Sequence, residues 1–208
     1  MEEIYIVGAS GFGREVTWLI EKNGDYIVKG FIDDNPDILN QQINGIPVIG
    51  DTKWLKNKKD KTNVVIAIGN PQIRFNIYKM LKENTNLYYP NIISKNVYIS
   101  KSIDMGIGNI ICDGSILTVN ITIGNFNHIN LDCTIGHDTR LNNFITIYPA
   151  VNVSGNVEIS NYCELGTGSK IIQGLKICDR VIVGAGGTVV NNIDEPGTYV
   201  GLPVKKIR

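Results

Sequence analysis

The sequence predicts a protein of the α/β plus all-β class, with a small parallel α/β domain over residues 1–85 and a parallel β-helix over residues 86–208. Two patterns support this division. Residues 86–208 carry an aliphatic side chain at nearly every sixth position, whereas residues 1–85 alternate short apolar runs with glycine turns and amphipathic segments. A chain of 208 residues is long enough to bury a core in each part.

The six-residue repeat is unbroken over most of the second part. Its apolar members are Ile93, Ile99, Met105, Ile111, Leu117, Ile123, Ile129, Ile135, Leu141, Ile147, Val153, Ile159, Leu165, Ile171, Ile177, Val183 and Val189. A hexad provides one short strand and a turn, and three hexads complete a triangular coil whose aliphatic side chains point inward. An α-helix would need apolar residues about every 3.6 positions, so this spacing argues against a helix. Seventeen hexads correspond to between five and six coils.

Two other positions of the hexad are also restricted. The residue after the aliphatic is often glycine, as at Gly106, Gly124, Gly136, Gly166 and Gly184. Small or compact apolar residues stand four places after the aliphatic, and Cys133 and Cys163 fall at this inward position. These cysteines are therefore expected to pack in the core. The chain has four cysteines, no CxxC pair and only two histidines, so we expect no metal site.

The first part reads as strand, glycine turn and helix in alternation. Strands are predicted at residues 4–7, 27–32 and 64–68, and helices at residues 14–22 and 71–82. This order is typical of a small Rossmann-like domain with a parallel sheet.

Polar residues follow three of these predicted strands. Ser10 lies in a glycine turn, Asp33 and Asp34 follow the second strand, and Gly69 follows the third. The carboxyl ends of parallel strands share one edge of the sheet, where open α/β sheets bind their ligands. The glycine spacing is GxxGxG rather than the GxGxxG of dinucleotide sites, so it gives only weak support for NAD. The alternative is a purely structural turn beside a solvated acidic loop.

Charge and hydropathy exclude some classes of partner. Twenty basic and twenty acidic side chains cancel, so net charge gives no reason to expect nucleic acid. No apolar run approaches the roughly 20 residues of a membrane span, so no membrane insertion is expected. The expected location is the cytoplasm.

Motifs in both parts resemble the bacterial sugar acetyltransferases, a family that includes sialic acid O-acetyltransferases and N-acetyltransferases acting on UDP-linked 4-amino sugars. The resemblance covers nearly the whole chain. The motifs that carry it lie at residues 8–15 (GASGFGRE), 31–34 (FIDD), 66–70 (IAIGN), 135–138 (IGHD) and 201–205 (GLPVK).

The resemblance implies a left-handed β-helix, a homotrimer with active sites between neighbouring β-helices, and acetyl-CoA as co-substrate. It assigns the general base to His137, with Asp138 as the acidic neighbour. Nucleotide-sugar contacts are implied at Ser10, Gly11, Phe12, Asp33, Asp34 and Gly69. Contacts with acetyl-CoA or its carbonyl are implied at Thr146, Gly155, Thr167 and Ala185. Many relatives have histidine in place of Phe12, and one branch has histidine in place of Thr146.

The residues themselves support acyl transfer by direct attack. Histidine suits a general base because its unperturbed pKa lies near working pH. His137 is expected on an outward turn beside an acid, whereas His128 has no adjacent acid and is expected at solvent or an interface. The resemblance makes Gly155 the candidate oxyanion donor through its N–H, and the alternative is an ordinary turn glycine. Lys205 belongs to a basic tail that meets the CoA phosphates or is simply solvated.

Three functions are compared. The leading interpretation is N-acetylation of a nucleotide-linked amino sugar for surface-glycan synthesis, and the alternative within the same chemistry is O-acetylation of sialic acid or a related sugar. From another class, the chain could be a non-catalytic trimeric scaffold. An NAD-dependent oxidoreductase is disfavoured by the glycine spacing.

Overall fold

The computed structural model describes all residues, 1–208, and divides them into two compact units, Met1–Ile92 and Ile93–Arg208. The fold class is the predicted one, an α/β domain followed by a left-handed parallel β-helix. The predicted boundary after residue 85 falls inside the first unit. The reason is a short strand, Leu87–Tyr88, which pairs with Thr62–Ile66 and so extends the α/β sheet.

The first unit contains six strands and three α-helices. In chain order they are β1 (Glu2–Val7), α1 (Gly11–Asn23), β2 (Tyr26–Ile32), β3 (Gln42–Ile43), β4 (Ile46–Gly50), α2 (Thr52–Lys56), β5 (Thr62–Ile66), α3 (Pro71–Leu81) and β6 (Leu87–Tyr88), with one 3₁₀ turn at Pro36–Ile38. The sheet order is β3-β4-β2-β1-β5-β6. All neighbours are parallel except the β3–β4 pair.

The predicted elements of the first unit are all present, with shifted ends. Helix α1 begins at Gly11, three residues earlier than predicted, and buries Val16, Leu19 and Ile20. Strand β5 ends at Ile66 rather than at residue 68. The sequence does not predict strands β3, β4 and β6 or helix α2.

The glycine turn after β1 brings α1 against the sheet. Gly8 has φ +101°, which L side chains rarely adopt. A Cβ on Gly13 would lie 1.9 Å from the carbonyl oxygen of Gly8, so only glycine permits this approach. Both glycines therefore have structural roles, whatever the turn binds.

The second unit consists of stacked coils. Its parallel strands are β7 (Ile92–Ile93), β8 (Tyr98–Ile99), β9 (Asp104–Met105), β10 (Ile110–Ile111), β11 (Ile116–Leu117), β12 (Thr122–Ile123), β13 (His128–Ile129), β14 (Thr134–Ile135), β15 (Arg140–Leu141), β16 (Thr146–Ile147), β17 (Asn152–Val153), β18 (Glu158–Ile159), β19 (Glu164–Leu165), β20 (Lys170–Ile171), β21 (Lys176–Ile177), β22 (Val181–Val183) and β23 (Thr188–Val189). Each strand ends on one of the seventeen predicted aliphatic residues. Strand β24 (Gly197–Gly201) pairs with β22, and β25 (Val204–Lys206) pairs antiparallel with β24.

The strands form three sheets, one per side of the coil, because each strand pairs with the strand 18 residues further along. The inward aliphatics from Ile111 to Val189 are at most 2% exposed. Ile99 in the first coil is 39% exposed. Cys133 and Cys163 lie in this core as predicted, and burial raises the pKa of their thiols to about 11 and about 12.

The corners of the coil have a regular backbone conformation. Fourteen residues spaced by six, from Gly108 to Gly186, have positive φ. Five are glycine, and the others are Asn120, Phe126, Asp132, Asp138, Phe144, Ala150, Asn156, Tyr162 and Arg180. Asparagine and aspartate tolerate this conformation better than most residues. The left-handed corner thus falls three residues after each inward aliphatic.

Aromatic residues at one corner of the coil stack on one another, which offsets the cost of their positive φ. Phe126 stacks on Phe144 at a centroid distance of 5.2 Å, and Phe144 stacks on Tyr162 at 5.7 Å. The Arg180 guanidinium lies 5.4 Å from the Tyr162 ring. These contacts offset the cost of left-handed backbone in residues with large side chains, about 1–2 kcal/mol each.

No helix in the structure is long and apolar enough to cross a bilayer. No group of three or more His, Cys, Asp or Glu side chains is arranged to hold a metal ion.

Candidate active site

The second unit carries a histidine–carboxylate pair at one corner of its coil. His137 follows β14, and Asp138 is the corner residue with φ +59°. The His137 Nδ1 atom lies 2.8 Å from Asp138 Oδ2. Both side chains are about half exposed, 51% and 52%, so the pair is open to a ligand as predicted for an outward turn.

The surroundings of Asp138 determine which ring nitrogen holds the proton. The hydrogen bond from His137, followed by one from Asn120, lowers the pKa of Asp138 below its usual value. An ionised carboxylate only accepts hydrogen bonds, so His137 Nδ1 must carry a proton. In the neutral imidazole, Nε2 then has the lone pair that a general base requires.

Gly155 lies against the His137 ring. A Cβ at this position would be 2.4 Å from Nε2 and 2.6 Å from Cε1, so the ring occupies the space of the missing side chain. The N–H of Gly155 makes no hydrogen bond within the chain, while its carbonyl accepts one from Gly174. Gly155 is buried beneath the imidazole, and its N–H has no acceptor within the chain.

Gly136 permits the same close stacking one coil earlier. A Cβ on Gly136 would lie 2.5 Å from the Gly155 nitrogen. The Asn156 N–H donates to the His137 carbonyl at 2.6 Å, which joins the two turns. The glycine after the aliphatic thus brings the His137 turn and the Gly155 turn into contact.

Asn120 contacts Asp138 and is not among the site residues predicted from the sequence. Its Nδ2 donates to Asp138 Oδ1 at 3.3 Å. Asn120 and Asp138 are 18 residues apart, and such residues stack in a coil of three hexads. The spacing alone could therefore have identified Asn120.

The predicted acetyl-CoA positions differ in exposure. Thr167 and Ala185 are exposed and stack one coil apart, and the Gly186 N–H donates to the Thr167 carbonyl at 2.8 Å. Thr146 is 3% exposed in β16. Lys205 is exposed in β25. The structure thus makes Thr167, Ala185 and Lys205 accessible, whereas the Thr146 side chain is buried.

His128 does not occupy the exposed position expected for it. Its side chain is 1% exposed. In the strand ladder it stands between Ile110 and Thr146, which are also buried. Of the two histidines, only His137 is accessible.

The three polar strand ends of the first unit converge. Val7 at the end of β1 is in register with Ile32 of β2 and Ile66 of β5. Asp33 connects two of these ends, because its Oδ2 accepts the Ala9 N–H at 2.9 Å and its Oδ1 accepts the Asn35 N–H at 3.0 Å.

Asp34 points to a different part of the same edge. Its Oδ1 accepts hydrogen bonds from the N–H and the hydroxyl of Thr52, both at 2.8 Å. Asp33 and Asp34 line a cavity of about 340 Å³ together with Leu39, Ile49 and Trp54. The cavity combines carboxylates with apolar walls, a lining that suits a neutral group with hydrogen-bond donors.

The remaining predicted positions of the first unit lie at helix starts. Ser10 is the N-cap of α1, it is exposed, and its side chain makes no cap hydrogen bond. Gly11 and Phe12 form the first turn of that helix. Arg74 of α3 is fully buried and donates to the carbonyls of Ile68 and Gly69, which follow β5, at 2.5 and 3.1 Å. Arg74 fixes this turn and was not identified from the sequence.

A half-exposed histidine–carboxylate pair on a left-handed hexapeptide β-helix, with a parallel α/β domain before it in the chain, is the arrangement of a hexapeptide-repeat acyltransferase. The chain is similar over nearly its whole length to bacterial sugar acetyltransferases within this class. Residues 3–81 match the PglD N-terminal domain.

Similar proteins cover nearly the whole chain. GDP-perosamine N-acetyltransferase of Escherichia coli O157:H7 is 29% identical over 192 residues, which are 87% of this chain and 82% of that protein. The acetyltransferase domain of PglB from Neisseria gonorrhoeae FA1090, solved with acetyl coenzyme A, is 27% identical with a TM-score of 0.92 over 99% of both chains. PerB from Caulobacter crescentus, solved with CoA and GDP-perosamine, is 26% identical with a TM-score of 0.92, covering 100% of this chain and 98% of that one.

The Gly155→Ala variant should displace the His137 ring. The new methyl group needs the space that the ring occupies, and a half-exposed side chain moves more easily than the coil backbone. We expect ¹⁵N NMR to show a smaller fraction of the Nδ1–H tautomer of the neutral ring. The free energy of unfolding should change by less than about 1 kcal/mol. Ser154→Ala on the same turn is the control and should leave the ring signals unchanged. Unchanged signals in Gly155→Ala would contradict the close contact.

Proposed function

We propose that this protein transfers the acetyl group of acetyl-CoA to the amine of a nucleotide-linked amino sugar, with His137 as the general base. The observation that carries the proposal is the His137–Asp138 pair, open to solvent and oriented for proton transfer. The similar proteins support the substrates, since one is a GDP-perosamine N-acetyltransferase and others were solved with acetyl coenzyme A or with CoA and GDP-perosamine.

His137 moves the proton in this reaction. As the substrate nitrogen forms its bond to the acetyl carbon, Nε2 accepts the proton that the nitrogen loses. The imidazolium that forms is stabilised by Asp138 through Nδ1–H. When the carbon–sulfur bond breaks, the same Nε2–H returns the proton to the departing CoA sulfur. Direct attack requires no acyl-enzyme, and the buried Cys133 and Cys163 are poorly suited to form one.

Gly155 is our candidate for the oxyanion donor. The carbonyl oxygen of the acetyl group gains negative charge in the tetrahedral intermediate, and a backbone N–H that is already oriented stabilises this charge. The Gly155 N–H has no acceptor in the chain, and the position of the missing Gly155 side chain lies against the imidazole. Thr167 and Ala185 are assigned to acetyl-CoA on the resemblance, and Lys205 is assigned to the CoA phosphates as a cation of the basic tail. Thr146 remains a weaker candidate because its side chain is buried.

We assign the sugar nucleotide to the converging strand ends of the first unit. The start of α1, with Ser10, Gly11 and Phe12, offers backbone N–H groups to a phosphate. Asp33 and Asp34 line the adjoining cavity, and Gly69 lies at the neighbouring strand end. We place the reaction in the cytoplasm, where both phosphorylated substrates are made.

The His137→Ala variant tests the general base. Turnover with acetyl-CoA and a nucleotide-linked amino sugar should fall at least about 100-fold, because general-base catalysis is typically worth that much. The assay follows CoA release over UDP-, dTDP- and GDP-linked amino sugars, with sialic acid as the hydroxyl acceptor. Acetyl-CoA binding by calorimetry and the melting temperature should be retained. Near-wild-type turnover would refute the mechanism, and a wild-type protein that binds no acetyl-CoA would favour a scaffold.

The Asp33→Asn variant tests the nucleotide site. It keeps the size of the side chain but removes the charge that accepts the Ala9 and Asn35 N–H groups, so the turn after β1 should loosen. We expect the KM for the sugar nucleotide to rise about tenfold and the KM for acetyl-CoA to be unchanged. Asp60→Asn, an exposed carboxylate without hydrogen bonds in the same unit, is the control. Equal KM values in the two variants would contradict the assignment.

We also propose that the active form is a homotrimer, as the family resemblance implies. Sedimentation equilibrium of the active protein should give three times the chain mass of 23.0 kDa at concentrations where turnover is measured. A fully active monomer would contradict the proposal.

A further inference from the structure

Asn120 holds the carboxylate of the catalytic pair from the neighbouring coil. It is the corner residue that follows β11, with φ +57°, and lies 18 residues before Asp138. Its backbone N–H donates to Ser102 Oγ at 3.0 Å, and its side-chain Nδ2 donates to Asp138 Oδ1 at 3.3 Å. A chain of contacts therefore runs from Ser102 through Asn120 and Asp138 to His137.

Each oxygen of the Asp138 carboxylate has its own partner. Oδ2 accepts from His137, and Oδ1 accepts from Asn120. Two donors on different oxygens fix the plane of a carboxylate, whereas one donor leaves it free to rotate. This matters here because both side chains of the pair are half exposed, and an exposed ion pair alone contributes little.

The charged groups near Asp138 do not replace this contact. Arg140, Glu158 and Lys176 line a cavity of about 290 Å³ with Asp138. Lys176 pairs with Glu158 at 3.4 Å, and neither Lys176 nor Arg140 forms an ion pair with Asp138. His137 and Asn120 are thus the side-chain partners of Asp138.

We propose that Asn120 is a positioning residue for acetyl transfer: it fixes the Asp138 carboxylate, which in turn keeps His137 in the tautomer with Nε2 unprotonated. This inference rests on the proposed function. Asn120 itself need not touch substrate, because its effect reaches the reacting atoms through Asp138 and His137.

The Asn120→Ala variant removes the donor. Alanine is tolerated at this kind of corner, since Ala150 occupies an equivalent corner with φ +59°. We expect kcat to fall about tenfold with the KM for the sugar nucleotide unchanged, because orientation of the base is lost and substrate binding is not. Asn120→Asp keeps a residue that favours the left-handed conformation but supplies no donor, and should lose at least as much activity.

A double-mutant cycle separates positioning from a general structural effect. In the Asp138→Ala background, Asn120→Ala should cause no further loss of kcat, because no carboxylate remains to be held. Losses that multiply would overturn the proposal. So would wild-type kcat in both Asn120 variants.

A spectroscopic measurement keeps the test independent of activity. The protein has two histidines, so ¹⁵N signals of the His137 ring can be assigned with a His128 reference. Asn120→Ala should raise the fraction of the Nε2–H tautomer, and an unchanged tautomer ratio would contradict the inference. If wild-type protein transfers no acetyl group to any amino sugar, the proposed function fails, while the ring signals still decide the role of Asn120.

Discussion

The stacking of residues 18 apart is the constraint on which the second unit depends. Every sixth residue turns the chain through a left-handed corner, and three corners close one coil. Side chains therefore form columns, and the residues one coil away determine which residue type fits at each position. The inward columns bury aliphatic residues, and the corner columns select residues that tolerate positive φ or that gain from stacking, as Phe126, Phe144 and Tyr162 do.

The features to which we assign catalysis lie in two adjacent columns of the β-helix. One contains Asn120 and Asp138, joined by a hydrogen bond between coils. The other contains His137 and Gly155, where the missing side chain of the glycine makes room for the imidazole. A coil backbone that is repeated and closely packed holds these groups with little freedom, which is what a base and an oxyanion donor require. The proposed chemistry takes place at one turn, but the coils on either side position its groups.

The first unit relies on a different device, the shared edge of parallel strands. Asp33 is hydrogen-bonded to the turn after β1, so the acidic residue that could bind a ligand also holds the turn in place. Asp34 joins the same edge to the start of α2 through Thr52. A side chain that both binds a ligand and holds a turn in place links the ligand affinity to the stability of that turn. For this reason conservative substitutions and a matched exposed control are needed to separate the two effects.

The hexapeptide period by itself determined the β-helix, its seventeen strands and its inward residues, because every repeat obeys the same spacing. The IGHD motif likewise predicted an exposed pair of His137 and Asp138, which the structure shows, while their role in catalysis is a proposal. The sequence did not reveal the β3–β4 hairpin, whose short strands lack a periodic signal, or the end of the first unit, which a pairing between distant strands decides. Only the tertiary structure showed that His128 is buried, that Asn120 contacts Asp138 and that Gly155 faces the imidazole. These facts depend on neighbours in adjacent coils, and one-dimensional spacing does not specify their side-chain geometry.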